Sequence, residues 1–336
     1  MQQTRTVRLG ILGCANIVEK QIAMTLKEVP SCQLMAIASR DPQKAKIWGE
    51  KLGCRDEPSY EHLLRCKDID AVYLPLPVGL HQEWVIKAAK AGKHILCEKS
   101  LAESYAAVKE MVQACRHNQV HLFENFMCHY HPQHEKVQEL LENGELGRVF
   151  LFHGAFGFPP LDEKNIRYRQ ELGGGSLNDA GAYPLFMARK LFRSEPEKVT
   201  CRLQQQRMKK KYEVDIRGHA LLEFPLEKTA FISFGFENFY QNNYLLWGET
   251  GLLQVKRAYS IPATMKPEVE LQKPGQSQNI EVPPANHFAL IFSAFADAIH
   301  HHREPNYGPL LAQARAMEAL RWSAQKERTV RLSEIE

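Results

Sequence analysis

No stretch of this 336-residue chain approaches the roughly 18 consecutive apolar residues of a membrane-spanning helix. The apolar run ahead of Gly13 is about five residues long, too short for the core of a signal peptide. Charge of one sign is also scarce. With 43 Lys and Arg against 39 Asp and Glu, the net charge of +4 argues against a nucleic-acid or membrane-surface partner. The eight cysteines include no C-x-x-C pair. That scatter suits reduced thiols in a cytoplasmic protein better than a disulfide frame or a zinc site. Repeats and low-complexity linkers are absent, and so is a complete G-x-G-x-x-G.

What remains is an ordinary globular composition, 44% apolar, on a chain long enough for two domains. Over the first 125 residues, short apolar runs alternate with helical patterns. Expected strands lie at 7–13, 33–38, 71–74, 94–97 and 120–123, and expected helices at 17–28, 42–52, 81–91 and 104–118. Strands separated by single helices imply a parallel, doubly wound sheet. Beyond about residue 126 the period changes to 2, in runs at 148–156, 198–207, 212–223, 229–237, 244–248 and 252–256. This predicts a mostly antiparallel sheet covered on one face by helices at 131–142, 183–192, 287–301 and 310–326. The expected domains are therefore 1–125, for dinucleotide binding, and 126–336, for substrate and assembly. The Pro- and Lys-rich residues 263–284 read as a surface excursion.

A parallel sheet binds ligands at the carboxyl ends of its strands. The first turn there is Gly13-Cys14-Ala15-Asn16-Ile17-Val18, which keeps only the first fingerprint glycine. Its small residues would let a diphosphate approach a helix start, although an ordinary strand-to-helix turn looks the same. The second strand ends Ala38-Ser39-Arg40-Asp41. An NAD site would place an acid there for the ribose hydroxyl. The Ser39 hydroxyl and Arg40 guanidinium suit a 2′-phosphate instead, and Asp41 before Pro42 reads as a helix cap. The reading is NADP(H), with Arg40 as a solvated turn residue the alternative.

The family resemblance rests on a set of spaced motifs. Val72-Tyr73-Leu74-Pro75-Leu76-Pro77, His81, Gly92-Lys93-His94 and Glu98-Lys99 resemble the Gfo/Idh/MocA oxidoreductases, as do residues 144–149, 173–183 and 247–251. The resemblance implies an N-terminal Rossmann domain and a C-terminal α+β domain with a large open, mostly antiparallel sheet. It implies NAD(P)-dependent chemistry on a sugar or cyclitol. It places Leu74, Pro75, Pro77, His81, Glu98 and Lys99 around the cofactor. Lys99 lies near the reacting hydroxyl, and Tyr183 falls on the acid–base position, with Asp179 one helical turn earlier. Ketone reduction leaves an alkoxide that needs a proton. A free phenol has a pKa of about 10, and a nearby ammonium favours its ionised form. Taken singly, Lys99 reads as a surface lysine, Tyr183 as a core tyrosine and Asp179 as a helix cap. Ser100 replaces the family's proline. Relatives commonly have a cis peptide there, but a cis bond before a residue other than proline costs about 2.5–4 kcal/mol, so the sequence leaves the Lys99–Ser100 bond open between cis and trans.

The run Glu237 to Tyr244, leading into Trp247-Gly248, resembles the subgroup that reduces the 3-keto group of nucleotide-linked deoxysugars. It points to Tyr240 and Asn242 as substrate residues, and Asn165 and Arg167 as part of a substrate loop whose arginine can meet a diphosphate. Packing aromatics explain the run equally well. Dehydrogenases of free sugars or dihydrodiols, and a cofactor-binding protein without turnover, stay open. His129, His131 and His134 read as an ordinary helix start, and no metal site is expected. Lys209-Lys210-Lys211 reads as a hairpin tip, and His300-His301-His302 as a solvated helix end. Pairing through the open sheet face, as a homodimer or homotetramer, is the expected assembly.

Overall fold

The computed structural model describes residues 6–207 and 210–336. The chain divides into two compact units, one of residues 1–127 with 287–311 and the other of 128–286 with 312–336.

In the first unit, β1 (Val7–Leu12), β2 (Cys32–Ala38), β3 (Arg55–Glu57), β4 (Ala71–Leu74), β5 (His94–Cys97) and β6 (Leu122–Glu124) form a six-stranded sheet in the order β3-β2-β1-β4-β5-β6. Every neighbouring pair is parallel. All four residues of β4 are buried, as a sheet covered on both faces requires. The connections are α1 (Ala23–Lys27, continuing a π turn over Val18–Ile22), α2 (Pro42–Leu52), α3 (Tyr60–Arg65), α4 (His81–Lys90) and α5 (Tyr105–His117). The strand order reverses between β1 and β4, and a crevice at that point is where such sheets take their ligands. The helix α2 shows how local sequence sets these bounds. The Asp41 carboxylate accepts from Gln43 N and Lys44 N at its start, and Gly53, at φ +68°, ends it.

The second unit opens with α6 (Pro132–Glu142), β7 (Val149–Gly157) and α7 (Ala182–Phe192). The strands that follow are β8 (Lys198–Gln204), the short pair β9 (Gln206–Arg207) and β10 (Lys210–Lys211), then β11 (Arg217–Glu223), β12 (Thr229–Gly235), β13 (Gln241–Gly248), β14 (Leu252–Lys256), β15 (Glu268–Lys273) and β16 (Gln276–Asn279). Two helices, α8 (His287–His300) and α9 (Gly308–Lys326), precede β17 (Val330–Arg331). Nine of these strands form one sheet, in the order β16-β15-β14-β13-β7-β12-β11-β8-β17. Its neighbours are antiparallel except β12 with β7. One face is covered: Phe192 of α7 meets Phe152, and Ser323 of α9 accepts from Cys201 N. On the opposite face Phe231 and Trp247 stand 46% and 51% exposed.

Several expectations need correction. Residues 287–311 belong to the first unit, because α8 lays Phe292 against Tyr73 and Phe295 against Phe123 of the parallel sheet. Residues 263–284 are not a plain excursion. They contain β15 and β16, and Val269 and Leu271 are buried as β15 extends the sheet beside β14. The short elements β3 and α3 were not foreseen. Lys209 of the expected hairpin tip lies outside the described residues. His131 caps α6 by accepting from Gln133 N, as a helix-start residue does. All eight cysteines are free thiols, and among the described residues no helix is long and apolar enough to cross a membrane.

Candidate active site

The first unit gathers its candidate residues at the carboxyl ends of β1, β2, β4 and β5. Gly13 leaves β1 at φ +122°, a backbone conformation that disfavours a side chain. A Cβ there would also stand 2.9 Å from the Leu76 side chain, so glycine alone keeps the turn open. Cys14 is buried, Ala15 and Ile17 are half-buried and Asn16 is exposed as the helix begins. At the end of β2, Ser39 is buried and its hydroxyl accepts from Asp41 N at 3.2 Å, while Arg40 is exposed. The one acid of this stretch, Asp41, holds the start of α2. These residues fit a dinucleotide: an open glycine turn, a helix start and a hydroxyl–guanidinium pair where the ribose would lie.

Leu74, the last residue of β4, and Pro75 after it are buried, and Pro77 is half-buried. His81 is fully buried, with Nε2 2.7 Å from Leu76 O and Nδ1 3.0 and 3.2 Å from Ser100 O and Leu101 O. Burial pushes its pKa down, against the pull of those carbonyls. His81 therefore ties the turn after β4 to the turn after Lys99. The sequence placed it among cofactor contacts, but its ring has no exposed surface to offer. Lys99 is half-buried just past β5, and the Lys99–Ser100 bond, which the sequence leaves open, is a cis peptide. The carbonyls of Ser100 and Leu101 face the His81 ring, and Leu101 N donates to Glu124 at 3.0 Å, so the residues around the bond are held in place. Beside it, the Glu98 carboxylate accepts from Tyr73 Oη at 2.6 Å and Asn125 Nδ2 at 2.5 Å. Desolvation raises its pKa, opposed by these two bonds and by the charge of Lys99.

The second unit carries the remaining candidates. Tyr183 stands on the first turn of α7, 6% exposed, with its ring 5.2 Å from Phe156 and 6.0 Å from Tyr259. Asp179 lies in a π turn over Leu177–Gly181 that runs into α7, so it is inside the helical segment and does not cap it. Its Oδ2 accepts from Arg167 Nε at 2.6 Å. Arg167 belongs to a 3-10 turn over Ile166–Tyr168, which Asn165 caps by accepting from Arg167 N. The structure thus joins Asn165, Arg167 and Asp179 into one linked set. Tyr240 Oη accepts from Asn242 Nδ2 and Arg257 Nη1, each at 2.9 Å. Asn242 is buried. Its amide also donates to Ser260 O and accepts from Tyr259 N, so it pins residues 259–260 against β13.

Sequence reasoning missed Asp215. Its Oδ2 accepts from Ser176 Oγ at 2.6 Å and Leu177 N at 2.7 Å, which fixes the turn leading to Asp179 and Tyr183. Desolvation raises its pKa against those bonds. The glycine run gave an indirect signal: Gly175 sits at φ +112°, and a Cβ there would lie 2.5 Å from Asp215 Oδ1.

A doubly wound sheet with an open glycine turn, followed by a unit built on a broad mixed sheet, defines a dinucleotide-binding oxidoreductase of two units. Residues 7–126 match a family model described as an oxidoreductase family with an NAD-binding Rossmann fold, and residues 134–254 match the GFO/IDH/MocA C-terminal domain. The chain belongs to the GFO/IDH/MocA family of oxidoreductases. It is 36% identical, over 95% of its length and 96% of the relative's, to a dTDP-3,4-didehydro-2,6-dideoxy-alpha-D-glucose 3-reductase of Actinomadura kijaniata. A D-xylose 1-dehydrogenase (NADP(+)) of Haloferax volcanii is 33% identical over 88% of this chain and 90% of its own. Among solved structures, a 3-ketoreductase from A. kijaniata in complex with NADP and TDP-benzene aligns at a TM-score of 0.90 with 34% identity, covering 95% of this chain and 98% of its own. Variants of that protein with a tyrosine changed to phenylalanine or a lysine to alanine align at TM-scores of 0.90 and 0.86.

Proposed function

We propose that this protein uses NADPH to reduce a sugar keto group, at C-3 of a nucleotide-linked deoxysugar. The observation that carries the reading is the likeness to the 3-reductases across nearly the whole chain, both units included. For the cofactor, the support is local. Ser39 and Arg40 stand where a 2′-phosphate would be recognised, and the acid that would serve a ribose hydroxyl is engaged as the cap of α2. NADPH, when bound, supplies the hydride. The phenol of Tyr183 is the proton donor to the carbonyl oxygen as that oxygen becomes an alkoxide, and Lys99 assists through its ammonium charge. Asp179 accepts from Arg167 Nε and so positions the guanidinium, a group whose chemistry suits an anionic substrate group. Asn242 and Tyr240 position the segment around Tyr259, next to the ring of Tyr183. We read the eight free thiols as fitting a cytoplasmic location, and the sheet face bearing Phe231 and Trp247 as the surface that pairs two copies. A single monomeric species in sedimentation would overturn that pairing.

The test is a fluorescence titration with NADPH and NADH, followed by turnover with a nucleotide-linked 3-ketosugar and with free xylose. NADPH is expected to bind more tightly, and Arg40→Ala to weaken it about tenfold while leaving NADH unchanged. Tyr183→Phe is expected to lower kcat by about 100-fold or more without loss of cofactor binding. Equal binding of the two cofactors would sink the 2′-phosphate reading. Turnover confined to xylose would move the protein to the free-sugar dehydrogenases. Tight NADPH binding with no turnover on either sugar would favour a binding protein.

A further inference from the structure

On the first unit, apart from the residues assigned above, three side chains of different donor chemistry converge. Glu57 closes the edge strand β3 and is buried. Its Oε2 lies 2.5 Å from His62 Nδ1, and its Oε1 lies 3.6 Å from Cys66 Sγ. His62 and Cys66 are four residues apart on α3 and its C-cap, hence on one face. One ligand atom from each of the three falls within 4.8 Å of the others. We propose that Glu57, His62 and Cys66 bind a zinc ion, with the remaining coordination position open to water.

Geometry, donor type and support all favour this. Tetrahedral zinc, with bonds of about 2.0–2.2 Å to O and N and about 2.3 Å to S, sets O···N edges of roughly 3.3 Å and O···S edges of roughly 3.5 Å. The Glu57 Oε1–Cys66 Sγ separation already has that length, while His62 Nδ1 meets the other oxygen, Oε2, so a small turn of the carboxylate presents one oxygen to an ion that all three side chains share. Thiolate and imidazole donors select zinc or a similar borderline ion and disfavour calcium and magnesium. Each ligand is also held from behind. Arg55 Nε donates to Glu57 Oε1 at 3.0 Å while its guanidinium grips Asp68, and Ser59 Oγ accepts from His62 N at 3.1 Å. The buried Lys93 donates to the carbonyls of Cys66 and Ile69 at 2.7 and 2.8 Å. These bonds fix the backbone that carries His62 and Cys66 and one oxygen of the Glu57 carboxylate. Cys66 Sγ also contacts His62 O at 3.4 Å, and the His62 side chain is 49% exposed, which gives an ion a path of entry. Zinc binds cysteine as the thiolate, so the Cys66 thiol proton is released to solvent on binding and affinity rises with pH. Burial and the neighbouring Glu57 raise the Cys66 pKa in the absence of an ion, and a divalent cation reverses that balance.

The test is a Co(II) titration of the full chain after treatment with a chelator. One Co(II) per chain is expected to bind with a near-ultraviolet thiolate-to-cobalt band and the visible bands of a tetrahedral centre, and Zn(II) should displace it. Cys66→Ser should remove the thiolate band and Cys54→Ser keep it. His62→Ala should weaken binding at least about a hundredfold, more than the 10–100-fold typical of losing an outer-shell partner. One equivalent of Zn(II) should raise the melting temperature of the wild type. Absence of a thiolate band in the wild type at stoichiometric Co(II) would overturn the site, whatever the variants do. A band that survives Cys66→Ser would assign the ion to another thiol and equally overturn it.

Discussion

Each unit holds one desolvated carboxylate by side chains together with a backbone N–H, but at different kinds of place. Glu98, next to Lys99, accepts from the side chains of Tyr73 and Asn125 and from the backbone N–H of Lys99 itself. Asp215 accepts from a side chain, Ser176, and from the backbone N–H of Leu177 at the turn that leads to Tyr183. The Lys99 N–H sits just past the end of β5 and is donated to the preceding residue, whereas the Leu177 N–H sits in a turn that Asp215 reaches from 38 residues along the chain. The first unit therefore trims the position of a residue at a strand end that the sheet already defines. The second depends on its carboxylate to define the turn itself.

The broadest way to probe the pair is pH, because both carboxylates have raised pKa values. A raised acid is favoured in its neutral form by the fold, so it loses stability as pH rises through its folded pKa and regains it as pH falls. Buried histidines run the other way. His94 in the first unit and His129 and His131 in the second are pushed down to about 4 by burial. Unfolding lets them take up protons once pH drops below their free value, about 6.5. Stability is lost as pH falls from there toward 4, on the order of 1–2 kcal/mol for each group at pH 5. With more histidines than acids, the melting temperature by calorimetry should be lower at pH 5 than at pH 7.5. A rise would mean that the two carboxylates dominate.

The next largest effect is expected from Asp215→Ala, which strands Ser176 and Leu177 N and should cost about 2–4 kcal/mol in chemical denaturation. Asp215→Asn keeps an acceptor and should recover part of it. Gly175→Ala, which forces a Cβ toward Asp215 at a positive φ, should cost about 1–3 kcal/mol. Glu98→Ala should cost least, about 1–2 kcal/mol, and lower kcat more than it lowers stability. Equal losses from the two alanine variants would break the distinction drawn between them.

The first unit was largely legible because its signals are local. Asp41, Pro42 and Gly53 bound α2, and β4 and β5 fall where continuous apolar runs put them. Its misreadings have physical causes. β3 is three residues of Arg, Asp and Glu, and the six residues of α3 are too few to show a period. The placement of α8 depends on which sheet its aromatics meet, and amphipathicity does not encode that. β15 was hidden because Pro and Lys flank its alternation, although Val269 and Leu271 carry it. Motifs in the sequence nominate Gly13, Ser39, Arg40, Lys99, Asp179 and Tyr183 for the candidate site, and their roles there stay a proposal. The groups that hold it were not legible. Asp215 and the bonds of Asn242 are pairings between residues far apart in the chain, and one sequence does not record them.

The cap on α2 has a consequence for redesign. Asp41 is already the acid nearest the expected ribose position, yet its oxygen serves two backbone donors. Freeing it for a ribose hydroxyl would unpin a helix start, and adding a second acid at Ser39 or Arg40 would set like charges side by side. On the proposed reading of Ser39 and Arg40, cofactor preference and the rigidity of the adjoining helix are inherited together, and an attempt to alter one by single substitution will be felt in the other.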